Sequence, residues 1–344
     1  MQRYAPLFLA AFLVCAVLIV GSVYLSGHAI NDDKKLKDTL TIYTTLPVEN
    51  VAVLAEEYEK NNHIKLKFVP LDEKTLLARL KDDQQSATGD ASLVLANKEF
   101  LIRAAAEGVF SSYVSEETDI IADQFKDPEG HWVGLWYDPM VFCANKDYLR
   151  SLAVLPTSWQ ELAKQSDCRI AITDFLAAES SANLLYTLVA EYDEARAFNL
   201  LEQLKPKIVK YSKYLVTPVR MAGMGEVDIS IAVQSESLRY IRDGFPITLI
   251  YPTDGTSYML TGAGILKNAA NPVVAQALLH WLTGDEAQMC LQKNGFFFVP
   301  ANQTTMAYKS FSGKNIVLFD NYSDLSWEQK NNVLDRWVKN IRFK

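Results

Sequence analysis

Short apolar runs rich in β-branched residues alternate with amphipathic helical segments along nearly the whole chain. That alternation restricts the fold to an α/β sheet covered by helices. Residues 39–43 read as a strand, and the loop Thr44-Thr45-Leu46-Pro47 opens a helix that places Val51, Leu54, Ala55 and Tyr58 on one face. Residues 64–69 form a second strand, 75–80 begin a helix, and 92–95 are a short strand. The helix at 100–106 stops at Gly108, a residue suited to the left-handed conformation that ends helices. A long β-rich run covers 132–145. Thr157 or Ser158 offers a cap to the helix that follows Pro156. Residues 169–173 and 227–233 are strands, and 180–190 are helical. The turn around Gly255 leads into an apolar strand, and Asn271-Pro272 opens a helix through Leu278, Leu279, Trp281 and Leu282. A last helix is expected at 325–342.

The N-terminus points to export. No formally charged side chain occurs from Tyr4 to Asn31. The apolar run is long enough to span a bilayer core, which takes roughly 20 residues. Gly27-His28-Ala29 also offers the small residues of a cleavage site. Residues 1–29 are therefore read as a signal peptide or a membrane anchor. The remaining length supports two lobes with their own cores. A net charge of −7 argues against nucleic acid, whose phosphates need basic surface. Beyond the leader, Cys143, Cys168 and Cys290 are odd in number and widely spaced, unlike a disulfide framework or a zinc site. No nucleophile elbow, phosphate-binding P-loop, dinucleotide fingerprint or zinc-protease motif occurs, so no enzyme and no cofactor are expected.

Several segments together resemble the family 1 extracellular solute-binding proteins of ABC importers, in the group of type II periplasmic binding proteins that includes the ferric-binding proteins. They are LTIYTTLP from Leu40, GLWYDPMVFCANKDYL from Gly134, PTSWQELA from Pro156 and GEVDISIA from Gly225. The Asp254-Gly255-Thr256 turn, the Asn271-Pro272 helix and DLSWEQKNNVLDRWVKNI from Asp324 belong to the same pattern. The resemblance implies two α/β lobes, with mixed sheets flanked by helices, closing about a hinge on a small-molecule ligand. It implies delivery to an ABC permease from outside the cytoplasm, by a protein acting as a monomer. By that analogy, 39–136 with 248–303 form one lobe, 139–245 the other, and the crossings near 136–138 and 245–251 the hinge. A membrane-anchored receptor feeding a sensor kinase is the alternative role.

The resemblance also bears on the ligand. Ferric-binding relatives hold their metal with two adjacent tyrosines, a histidine and a glutamate, because ferric iron prefers anionic oxygen donors. In this chain the corresponding positions are Ser235 and Glu236, Pro47 and Asn97, so a tyrosinate ferric site is not expected and a ferric site of another type is the alternative. Hydroxyl pairs at expected helix starts, Thr44 with Thr45, Ser180 with Ser181, and Thr217, suit an anionic group. Asn97, Gln234, Ser235 and Glu236 are candidates to read hydroxyls or amines, and Trp136, Tyr137 or Tyr258 to stack on an apolar ligand face. The expected solute is a phosphorylated or phosphonate-type organic anion, or a polyol.

Overall fold

The computed structural model describes residues 39–86, 88–152, 154–319 and 325–344. The leader expected at 1–29 lies outside the described residues. The first elements are β1 (Thr39–Thr44), α1 (Val48–Asn62), β2 (Lys65–Pro70), α2 (Glu73–Asp83), β3 (Leu93–Asn97), α3 (Lys98–Ala106), α4 (Glu116–Asp119) and β4 (Val133–Asn145). There follow α5 (Lys146–Ser151), α6 (Trp159–Lys164), β5 (Ile170–Thr173), α7 (Glu179–Tyr192), α8 (Glu194–Leu204), β6 (Ile208–Ser212), α9 (Val216–Gly223), β7 (Ile229–Val233) and α10 (Gln234–Arg242). The chain closes with β8 (Ile247–Ile250), β9 (Tyr258–Ile265), α11 (Pro272–Thr283), α12 (Asp285–Lys293), β10 (Val299–Pro300), α13 (Met306–Lys309) and α14 (Trp327–Trp337).

The strands run in the order β2-β1-β3-β9-β4-β7-β5-β6, with β8 and β10 also paired to β4. Strand β4 belongs to both lobes. Its first half pairs antiparallel with β9 and β10, and from Met140 onward it pairs with β7 and β8. Parallel pairs β1–β2 and β5–β6 sit at the two outer ends, as helix crossovers require. Strands β3 and β7 are buried at every position, because helices cover both faces of the sheet there.

Each lobe has a core of its own. Ile42, Leu54, Phe100, Phe110, Leu260 and Leu278 belong to the first, and Phe142, Trp159, Leu185, Leu200 and Ile231 to the second. Helix α14 inserts Val333 and Trp337 into the second core. The pairing of β8 with Phe142–Asn145 puts residues 247–250 in the second lobe's sheet, so the return to the first lobe comes after Ile250 and not at 248. The chain crosses once more between Phe311, in the first core, and Phe319, in the second. Among the described residues the chain therefore passes between the two cores three times.

Local signals explain the element ends. Ser158 accepts from the Glu161 N–H at the start of α6, and Asn271 accepts from the Val274 N–H with Pro272 beside it. Gly255 has φ +98°, and a side chain there would strike the Phe319 ring, so the turn before β9 requires glycine.

Candidate functional site: the cleft between the lobes

A cleft of about 830 Å³ opens between the lobes. One wall comes from the first lobe: Thr45, Leu46 and Pro47 before α1, Asp72 and Glu73 at the start of α2, and Asn97 to Arg103 around α3. The opposite wall presents Glu179, Ala182 and Tyr186, which recur at helical spacing on one face of α7. Met259 and Thr261 of β9 and Lys330 of α14 complete the lining, with exposed Trp327 of α14 at the rim.

Asn97 organises the centre. Its Oδ1 caps α3 by accepting from the Phe100 N–H at 2.9 Å. The amide nitrogen is thereby turned toward the cleft, where Nδ2 donates to Glu179 Oε1 at 2.7 Å and to Glu73 Oε1 at 3.2 Å. Arg103 pairs with Glu73, and Lys330 pairs with Glu99 while lying 5.6 Å over the Tyr186 ring. Four carboxylates thus face two cations. Glu179 is exposed to water on one side, with the cleft wall around Glu73, Asn97 and Glu99 on the other. Burial against that wall, together with the negative charges of Glu73 and Glu99, pushes its carboxyl up to about 7.

The structure separates the residues expected from sequence. Thr45 and Asn97 line the cleft. Thr44 is buried, and its Oγ1 accepts from the Leu46 N–H to shape the same loop. Ser180 and Ser181 follow Glu179 in the first turn of α7; both hydroxyls are buried and neither has a hydrogen-bond partner among the described residues. Neither caps the helix, whose N-cap is Ala178.

Other expectations are overturned by packing. Trp136 stacks on Phe298 at 5.9 Å, Tyr137 stacks on Phe125 at 5.0 Å, and Tyr258 meets Phe125 and Tyr137 edge-on. All three rings sit in the first core, so none offers a face to a ligand. Gln234 donates to the Phe297 carbonyl and accepts from the Tyr251 hydroxyl, which occupies both ends of its amide. Ser235 gives its N–H and hydroxyl to Asp138. Glu236 pairs with Arg239 on its own helix. Thr217 lies in the first turn of α9, whose Val219 and Ala222 pack in a small core with Cys143 and Ala171, away from the cleft.

Sequence reasoning passed over Asp72, Glu73, Glu99, Arg103, Glu179, Trp327 and Lys330. Charges in first and last helical turns usually complement the helix dipole in solvent, which hides a functional carboxylate among ordinary ones. One signal was available: Glu73, Glu99 and Glu179 all sit at the starts of helices that follow strands, where open sheets bind ligands. Of the four positions matched to ferric ligands, Pro47 and Asn97 line the cleft, while Ser235 and Glu236 are engaged at the hinge. That donor set does not fit a tyrosinate ferric centre.

Comparisons with known proteins agree with this architecture. A family model described as bacterial extracellular solute-binding protein matches residues 91–320. Iron uptake protein A1 of Synechocystis is 21% identical over 319 residues, covering 86% of this chain and 88% of its own. The periplasmic binding protein AfuA of Actinobacillus pleuropneumoniae, solved with exogenous fructose-6-phosphate bound, superposes with a TM-score of 0.68 at 22% identity. That match covers 89% of this chain and 99% of AfuA. An extracellular solute-binding protein structure from Bordetella parapertussis gives 0.74 at 17% identity, over 88% and 99% of the two chains. The chain belongs to the bacterial extracellular solute-binding proteins, exported two-lobed proteins that bind a small ligand for an ABC importer and are not enzymes.

Proposed function

We propose that the cleft captures a small polyhydroxylated solute of sugar or polyol type, and that the protein, as a monomer, delivers it to its permease. The observation carrying this reading is the charge inventory of the walls: Asp72, Glu73, Glu99 and Glu179 against Arg103 and Lys330, both cations already paired with cleft carboxylates. Carboxylates accept strong hydrogen bonds from hydroxyl groups, and Thr45 and Thr261 add neutral polar partners. Trp327 supplies a ring face for the C–H face of a sugar. A doubly charged anion meets repulsion from the surplus carboxylates.

A phosphorylated sugar is the second reading. It is favoured by Arg103 and Lys330, which would exchange a carboxylate for a phosphoryl group, and by the fructose-6-phosphate bound to AfuA. A thermal-shift panel of neutral hexoses and polyols, their phosphate esters, phosphonates and ferric citrate tests both. A ligand that binds only the native protein raises its melting temperature. Neutral polyols are expected to give the largest rise and phosphate esters a smaller one. A rise with ferric citrate alone overturns both readings.

A further inference from the structure

We infer that closure of the cleft is linked to proton uptake by Glu179, so that the two lobes close more readily in mildly acidic medium than in alkaline medium. The inference rests on the interlobe cleft being the capture site, but not on which solute it takes.

The geometry starts from Asn97. Because its Oδ1 is committed to the α3 cap, one amide nitrogen serves a carboxylate from each lobe: Glu73 at 3.2 Å within the first lobe and Glu179 at 2.7 Å across the cleft. Bridging the lobes therefore carries Glu179 from open solvent to the side of Glu73 and Glu99. The groups facing it are Asp72 and Glu73 from α2 and its cap, Glu99 and Arg103 from α3, Tyr186 on α7 and Lys330 from α14. Arg103 is paired with Glu73 and Lys330 with Glu99, so the first lobe's own carboxylates engage both cations. Ionised Glu179 enters this arrangement as a fourth carboxylate, beside Asp72, Glu73 and Glu99.

Burial and the two neighbouring carboxylates push the Glu179 carboxyl from its ordinary 4.5 to about 7. An acid whose pKa is higher in the bridged form takes up a proton on bridging. The bridged form is thus favoured in full below the ordinary carboxylate range, and that advantage is lost as pH rises through about 7. Solvent access to Glu179 screens the response, so it falls short of the whole shift. Each unit of pKa difference that survives changes the closed-to-open ratio about tenfold.

The test uses solute-free full-length protein with spin labels on exposed rim positions of the two lobes, Lys74→Cys on α2 and Asn331→Cys on α14. Cys143, Cys168 and Cys290 are buried, and Cys15→Ser removes the remaining thiol. Pulsed dipolar distances are recorded from pH 5 to pH 8. The ratio of short- to long-distance populations is expected to fall by about tenfold or more across that range. Glu179→Gln, which stays neutral and still accepts from Asn97, is expected to hold it constant. Glu73→Gln removes one neighbouring charge and is expected to move the midpoint to lower pH. Asp138 at the hinge titrates in the same range, and a pH response surviving unchanged in Glu179→Gln would assign the effect there and overturn the inference. A pH-independent distribution in the parent would overturn it equally. Since no solute is present, either failure is distinct from a failure of the sugar panel.

Discussion

Asp138 is held twice by Ser235, through the backbone N–H at 2.9 Å and the hydroxyl at 2.5 Å. Asp138 lies on β4 where that strand passes from one lobe to the other, and Ser235 is in the first turn of α10. The free N–H groups of a helix start attract an anion, and here the chain's own carboxylate supplies it. The start of α10 is thereby closed to a ligand and serves the hinge. Burial pushes Asp138 up to about 7, with Glu236 adding to the rise and the Ser235 bonds opposing it.

This raised value sets a pH dependence. The native state retains a proton that the unfolded state has released, so stability falls as pH rises from about 4 to about 7. At about 1.4 kcal/mol per unit, the loss from Asp138 between pH 5 and pH 8 is about 2–3 kcal/mol. Urea unfolding at the two pH values is expected to show a loss smaller by this amount in Asp138→Asn than in the parent protein, the remainder coming from Glu179, whose carboxyl is raised over the same range. An equal pH slope in the variant would remove Asp138 as its source.

Trp136 is 2% exposed and packed on Phe298. Trp136→Ala should cost about 3–5 kcal/mol of stability, the usual range for deleting a large buried aromatic. The fraction that folds should bind the best solute of the panel with unchanged affinity. Calorimetry on folded protein checks this, and a large affinity loss without destabilisation would return Trp136 to the site.

Trp327 is 77% exposed at the rim of the cleft. Exposed substitutions usually stay within about 0.5 kcal/mol, so Trp327→Ala should leave unfolding nearly unchanged. Loss of ring stacking, about 0.5–1.5 kcal/mol, should weaken a neutral sugar by roughly 2- to 10-fold in a titration. Unchanged affinity for every member of the panel would exclude the ring from contact.

Ser180 and Ser181 share one prediction. Their hydroxyls cap nothing, so replacing both with alanine should cost less stability than the roughly 1 kcal/mol of a lost cap. Both hydroxyls are buried and neither lines the cleft, so affinity for phosphate esters and neutral polyols alike should stay unchanged. A loss of about tenfold or more, the size of a lost hydrogen bond to charge, would return the serines to the site.

Local chemistry made much of the architecture readable. The spacing of Val51, Leu54 and Tyr58 put all three inside α1, Ser158 and Asn271 marked helix starts, and Gly255 marked the turn before β9. Each of these depends on residues within a turn or two of one another, where periodicity and backbone preference act directly. That Asn97 and Thr45 follow strand ends and reach the cleft was legible for the same reason, since the ends of β1 and β3 could be placed from pattern.

The rest depended on partners far along the chain. An aromatic residue in a β-rich run has the same composition whether its ring faces solvent or another ring. Trp136, Tyr137 and Tyr258 became core only because β4 pairs with β9 and brings Phe125 and Phe298 against them. Ser235 met a carboxylate 97 residues away, and Asn97 met Glu179 across 82. The sequence by itself determined the alternation of elements and their ends, because those are settled by neighbours. The tertiary structure decided which helix starts face the cleft and which are stoppered from within, because strand order and lobe packing choose the partner of each free N–H group and carboxylate.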